Sequence, residues 1–305
     1  MKKLLLLLAV TVKITLLSGQ DGGETFPLYT GEIPNFKASE PLEQVETRPN
    51  GQRFISYTTQ PTYTLFKPKR PNGMAVVICP GGGYRGTSID KEGYLVAKEL
   101  NSVGITAVVV KYRIPDDRSN VDKSLAPLQD AQQAIRLVRQ NAAKWKVNPD
   151  QVGIMGFSAG GHLASTAATH YKTPADPDVK DKTNLRPDFV VLIYPVISFT
   201  DSLAHMGSRE NLLGPSPSED QIKLYSNELQ VTSDSPPAFL VHAGDDKTVK
   251  VENSIAYYLA CLHHGVDAEM HIYPKGGHGF GMLNTTTGDK WMNRLKIWLD
   301  GLKPK

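Results

Sequence analysis

Gly156-Phe157-Ser158-Ala159-Gly160 follows the apolar run 152–155 and precedes a segment with helical spacing. A G-x-S-x-G at a strand-to-helix turn forces its serine into a strained backbone conformation, and the glycines leave room for that turn. The hydroxyl is then lifted above the sheet, at a helix N-terminus whose free N–H groups favour an oxyanion. Ser158 is therefore the candidate nucleophile. A serine hydroxyl attacks poorly until a base takes its proton. That base should be a histidine late in the chain, on a loop after the last strand. His278 sits in Lys275-Gly276-Gly277-His278-Gly279-Phe280, where glycines on both sides suit a loop that brings an imidazole close to another backbone. Of the other seven histidines, His242 in an apolar strand and His162 behind Ser158 are expected to pack in the core. His263 and His264 fall at a helix end, His205 lies where it could touch substrate, and His170 and His271 have no distinguishing context.

A histidine base needs an acid that fixes its tautomer and stabilises its cation. His242-Ala243-Gly244-Asp245-Asp246-Lys247-Thr248-Val249 offers two, Asp245 and Asp246, at the C-terminal edge of an apolar strand. One would serve the histidine and the other would hydrogen-bond the turn; spacing does not choose between them. The order serine, aspartate, histidine is that of a strand-to-helix nucleophile turn. A fourth element is Cys79-Pro80-Gly81-Gly82-Gly83-Tyr84, directly after the apolar run 75–79. A glycine run there turns backbone N–H groups toward a developing negative charge without side chains in the way. Gly82 and Gly83 are the expected donors, with the Ala159 N–H completing the hole. Tyr84, at the end of the run, is read as a substrate-binding residue.

These groups must be carried by a scaffold, and the chain has the pattern of one. Six short runs, 75–79, 106–111, 152–156, 189–194, 238–242 and 269–273, are rich in Val and Ile and apolar on both faces. That pattern implies strands covered on both sides, in a mainly parallel sheet. Helix candidates alternate with them at 92–103, 128–145, 159–170, 254–264 and 291–302. The alternation predicts an α/β fold with right-handed crossovers and a doubly wound sheet. Residues 21 to about 50 are Gly/Pro/Glu-rich and read as a loose lead-in, and 54–65 read as early antiparallel strands; together they occupy 21–73. The catalytic domain is expected over 74–305. Within it, 198–237 is rich in Ser, Asp, Asn, Gly and Pro, with a weak helical patch at 219–229, and reads as a small cap inserted over the site.

The whole chain has 305 residues, 40% hydrophobic and 21% charged, which is enough for one sizeable core. Its formal net charge of +3, from 34 basic and 31 acidic residues, gives no case for nucleic acid as a partner. Lys67, Lys69 and Arg70, beside prolines, read as a solvated loop. Lys2 and Lys3, then an apolar run broken by Lys13, then Ser18-Gly19-Gln20 have the layout of a secretory leader over 1–20. The run is short of the roughly 20 residues a bilayer requires, so export to periplasm or exterior, without membrane insertion, is the expectation. Cys79 and Cys261 are expected as two buried thiols rather than a bridge. No cysteine or histidine spacing suits a structural metal, and the chemistry above calls for no cofactor.

Taken together, residues 80–84, 156–164, the stretch 242–254 and the 276–279 loop resemble the bifunctional feruloyl and acetyl xylan esterase-like group of α/β hydrolases. The resemblance covers roughly 74–302. It implies an α/β-hydrolase fold and a serine esterase acting on acetyl or feruloyl groups of plant polysaccharide such as xylan. The acid turn is also similar to that of prolyl oligopeptidase-type domains, H-G-x-x-D-x-x-V. Laid on His242 and Val249, that pattern places the acid on Asp246. In hormone-sensitive-lipase-like esterases the oxyanion loop begins with His-Gly-Gly-Gly, whereas Pro80 stands here in the place of that histidine. Two alternatives are a prolyl-oligopeptidase-like peptidase, whose usual propeller domain 305 residues would not accommodate, and a non-catalytic hydrolase-fold binding protein.

Overall fold

β-branched side chains pack well on a pleated, covered surface, and the Val- and Ile-rich runs form the centre of the molecule. A computed structural model describes residues 22–302, so the expected leader at 1–20 lies outside the described residues. The strands in chain order are β1 (Glu24–Pro27), β2 (Gln44–Thr47), β3 (Arg53–Ser56), β4 (Thr62–Phe66), β5 (Gly73–Cys79), β6 (Gly86–Thr87), β7 (Thr106–Lys111), β8 (Val147–Phe157), β9 (Val190–Ile193), β10 (Ala238–Ala243) and β11 (Ala268–Tyr273). Eight make one sheet in the order β1-β4-β7-β5-β8-β9-β10-β11, and β2, β3 and β6 make a small second sheet. β4 pairs antiparallel with both β1 and β7. Every pairing from β7 to β11 is parallel.

The helices are α1 (Leu95–Ser102), α2 (Ala126–Gln140), α3 (Ala142–Trp145), α4 (Ala159–Thr169), α5 (Met206–Leu213), α6 (Glu219–Leu224), α7 (Glu252–His263) and α8 (Trp291–Gly301). Successive strand residues point to opposite faces. Accordingly, Ala75, Val77 and Cys79 of β5 join a core layer with residues of α2, α4 and α7. Val76 and Ile78 join the opposite layer, with α1 and α8. The sheet is thus covered on both sides, as strands apolar on both faces require. No described helix is long and apolar enough to cross a membrane. Cys79 and Cys261 are buried free thiols.

Three differences from the sequence-based expectation have physical reasons. The lead-in is ordered: β1 joins the edge of the large sheet, with Phe26 stacked on Tyr63 at 5.3 Å between ring centres. Four residues, Glu-Thr-Phe-Pro, are too few to carry a periodic signal. The antiparallel strands expected over 54–65 divide between the two sheets, β3 to the small one and β4 to the large one. Within 198–237 the patch at 219–229 is α6 followed by a 3-10 turn, opened by a capping box between Ser218 and Gln221. A second helix, α5, precedes it. Its Gly, Ser and Asn content hides it from propensity, while the His205 imidazole caps it by accepting from the Ser208 N–H at 3.2 Å.

Candidate active site

β8 ends at Phe157 and α4 begins at Ala159, which leaves Ser158 alone to turn the chain. It does so at φ 52°, ψ −120°, a conformation that L-residues rarely adopt. A Cβ on Gly156 would lie 1.9 Å from the Gly160 carbonyl oxygen, and one on Gly160 would lie 2.1 Å from that of Cys79. The turn closes only with glycine at both positions. The Ser158 carbonyl accepts three N–H groups, from Gly161 (2.9 Å), His162 (3.1 Å) and Val196 (3.0 Å), which anchors the strained residue.

The loop after β11 brings His278 to this turn. Its Nε2 lies 2.8 Å from Ser158 Oγ, and its Nδ1 lies 2.7 Å from Asp246 Oδ2. A carboxylate accepts only, so Nδ1 carries the proton and Nε2 is left to accept from the serine hydroxyl. Asp246 Oδ1 accepts the N–H groups of Thr248 and Val249, each at 2.9 Å. The buried His242 Nε2 approaches Asp246 Oδ2 at 3.2 Å. Burial alone would raise the Asp246 carboxyl. Hydrogen bonds from His242 and His278, the charge of His278 and the Val249 amide outweigh it and hold the group well below the usual carboxylate range. Asp246 therefore stays ionised beside the imidazole. Asp245 is exposed and turns the other way; its Oδ1 takes the Gly277 N–H at 2.8 Å, pinning the histidine loop instead of its own turn.

The glycine run lies on the other side of Ser158. The Gly81 N–H donates to Glu92 Oε2 at 2.8 Å. The N–H groups of Gly82, Gly83 and Ala159 make no hydrogen bond among the described residues. Ala159, as the first residue of α4, has no intrahelical partner for its N–H. A Cβ on Gly82 would meet the Gly86 carbonyl oxygen at 2.1 Å, so the loop can lie this close only without one. Asn211 of α5 donates to the Gly83 carbonyl at 2.8 Å and fastens the loop from above. Ser158, His278 and Gly81 to Gly83 open into a cavity of about 780 Å³, whose other walls include Arg48, Phe54, Arg85, Lys91 and His205.

A family model described as BD-FAE matches residues 64–260. The chain belongs to the BD-FAE family. An acetylxylan esterase of Xylanibacter ruminicola is 42% identical over 220 residues, 71% of this chain and 43% of that protein. The endo-1,4-beta-xylanase B of Butyrivibrio fibrisolvens is 34% identical over 71% of this chain and 34% of its own length. This BD-FAE chain thus spans less than half the length of either relative. A crystal structure of an acetyl ester-xyloside bifunctional hydrolase from Caldicellulosiruptor lactoaceticus aligns with a TM-score of 0.73 and 35% identity, covering 91% of this chain and 96% of that one. The fold is accordingly that of the α/β hydrolases. The family match contains Gly82, Gly83, Ser158 and Asp246 and ends before His278, which geometry alone brings to the serine.

One expectation for this BD-FAE protein needs correction. Tyr84 does not face the cavity. Its side chain is 2% exposed, and its hydroxyl donates to Nδ1 of the buried His162 at 2.8 Å. The backbone at Tyr84 adopts φ 57°, which swings the ring inward. Nε2 of His162 donates to the Tyr225 carbonyl at 2.8 Å, and the imidazole stacks on Phe199 at 4.2 Å, so the ring is neutral and fully enclosed. Burial pushes it down to about 4, against the pull of the Tyr225 carbonyl. An unfolded chain would protonate this histidine near 6.5. Between pH 6.5 and 4 the unfolded state therefore binds more protons, and acidification destabilises the fold by about 3 kcal/mol. The thermal midpoint should fall across that window, and fall less steeply in His162→Gln. Parallel curves would exclude His162 as the source.

The sequence reading missed two groups beside the site. Glu92 and Tyr194 are both buried, and the Tyr194 hydroxyl donates to Glu92 Oε1 at 2.8 Å. They lie 102 positions apart, and neither belongs to a recognisable motif. The one available signal was the acidic side chain of Glu92 inside a run expected to pack on the sheet.

Proposed function

We propose that this chain is a serine carboxylic ester hydrolase that removes acetyl, and secondarily feruloyl, groups from xylan-type saccharides. The reading rests on one observation: an unbroken Ser158–His278–Asp246 hydrogen-bond chain of 2.8 and 2.7 Å, open to a cavity beside free backbone N–H groups. Ser158 attacks the acyl carbon while His278 Nε2 takes its proton. Asp246 holds the imidazole in the required tautomer and stabilises the imidazolium. Gly82, Gly83 and Ala159 donate to the tetrahedral oxyanion. His278 then protonates the departing alcohol, and water repeats the sequence to free the acid and restore the serine. The choice of acetyl esters follows the acetylxylan esterase of Xylanibacter ruminicola and the acetyl ester-xyloside hydrolase fold. The broad cavity suits a saccharide as the alcohol.

Hydrolysis of acetylated xylo-oligosaccharides, p-nitrophenyl acetate, a methyl ferulate ester and a proline dipeptide amide separates the possibilities. Acetate release should be fastest, ferulate release slower and amide cleavage absent. Turnover of the amide with no turnover of any ester would replace the esterase by a peptidase.

A further inference from the structure

A π-helical turn, Ile89–Tyr94, leads into α1. Such turns are rare and concentrate at functional sites. Three consecutive residues of this turn reach three different segments of the chain around the cavity. Asp90 accepts the Arg53 N–H at 2.6 Å and its guanidinium, which ties in the small sheet. The Lys91 ammonium donates to the Gly279 carbonyl, next to His278. Glu92 reaches deepest: its side chain, 5% exposed, accepts from the Gly81 N–H through one oxygen and from the Tyr194 hydroxyl through the other, each at 2.8 Å.

Tyr194 carries that contact onward. Its hydroxyl accepts the Gly281 N–H at 3.0 Å, and its ring meets the His278 imidazole edge-on at 5.0 Å and Phe280 at 4.7 Å. It is held at φ 37°, a strained value for a residue with a side chain. The two lone-pair faces of one buried carboxylate therefore hold the glycine loop on one side of Ser158 and the histidine loop on the other. Burial raises the Glu92 carboxyl, and the Tyr194 and Gly81 hydrogen bonds oppose that rise.

We propose that Glu92 is a positioning residue that, through Tyr194, sets the spacing between the oxyanion donors and the His278 base. This deepens the esterase reading and rests on it. Substituting glutamine keeps the shape but replaces one acceptor by a donor. Its amide then opposes either the Gly81 N–H or the Tyr194 hydroxyl, whose own oxygen is engaged by Gly281.

The test is steady-state hydrolysis of p-nitrophenyl acetate by wild type, Glu92→Gln, Tyr194→Phe and the double variant, with melting curves to establish folding. Misplacement of reacting groups by about 1 Å can lower a rate about a hundredfold. Glu92→Gln should reduce kcat by about tenfold to a hundredfold, with KM within about threefold of wild type. Tyr194→Phe should reduce kcat by about tenfold, again with KM nearly unchanged. Because both side chains act as one bridge, the double variant should be no slower than about twofold below Glu92→Gln. A folded Glu92→Gln with kcat within about threefold of wild type, a loss confined to KM, or losses that multiply in the double variant would overturn the proposal. Should Glu92→Gln not fold, Tyr194→Phe decides, and an unchanged kcat there overturns it. Failure of the esterase reading itself would appear in the wild type.

Discussion

Replacing Ser158 by alanine is expected to lower kcat on an acetyl ester by about a millionfold, the scale seen when the nucleophile of such a triad is removed. The side chain of Ser158 is 9% exposed, and its hydroxyl makes its hydrogen bond to His278, so no structural contact is lost with it. The strain at φ 52° belongs to the backbone and is held by three N–H groups on the Ser158 carbonyl; alanine inherits both. The variant should therefore melt as wild type does and still bind substrate. The oxyanion donors remain, so a residual rate above that of water is expected. A fluorophosphonate probe should label the wild type and leave the alanine variant unlabelled. Labelling that survives the substitution would mean that another residue is the nucleophile.

Asp246→Asn should lower kcat by about ten-thousandfold, whereas Asp245→Asn should stay within about threefold of wild type. The two aspartates are neighbours, and only the direction of their side chains differs. At position 246 an amide donates its N–H₂ toward His278 Nδ1, which pushes the imidazole proton onto Nε2, where it blocks acceptance from Ser158. The same amide also faces the His242 Nε2 donor and the N–H groups of Thr248 and Val249, so neither of its orientations satisfies every neighbour. At position 245 the asparagine carbonyl still accepts the Gly277 N–H. The pair of measurements thus separates orientation of the base from the mere presence of charge. Equal losses at the two positions would show that both carboxylates act through the histidine loop.

Much of this was legible in the chain because it is local. Residues 75–79 and 106–111 announce strands through runs of Val and Ile, and Gly156 to Gly160 encode their own turn. The glycines around His278 likewise signal a loop within the sequence that contains it. What could not be read is what packing decides between distant segments. Asp245 and Asp246 are indistinguishable by spacing; similarity at the acid turn favoured Asp246, and the side-chain directions agree. Tyr84 follows the glycine run exactly as a substrate contact would, yet its backbone angle sends the ring into the core to meet His162, 78 positions away. Glu92 and Tyr194, 102 positions apart, meet only in the folded chain, one in the π-helical turn and the other directly after β9.

The small β2–β3–β6 sheet lies outside the eight-stranded sheet that positions Ser158, Asp246 and His278. Arg48, directly after β2, and Phe54 of β3 form one flank of the cleft, with the guanidinium 5.4 Å above the ring. The same small sheet abuts the glycine loop, since the Gly86 carbonyl of β6 and the Phe54 ring of β3 both crowd Gly82. Exchange along 44–54 is therefore expected to reshape that flank of the cleft while Ser158, Asp246 and His278 stay in place on the larger sheet.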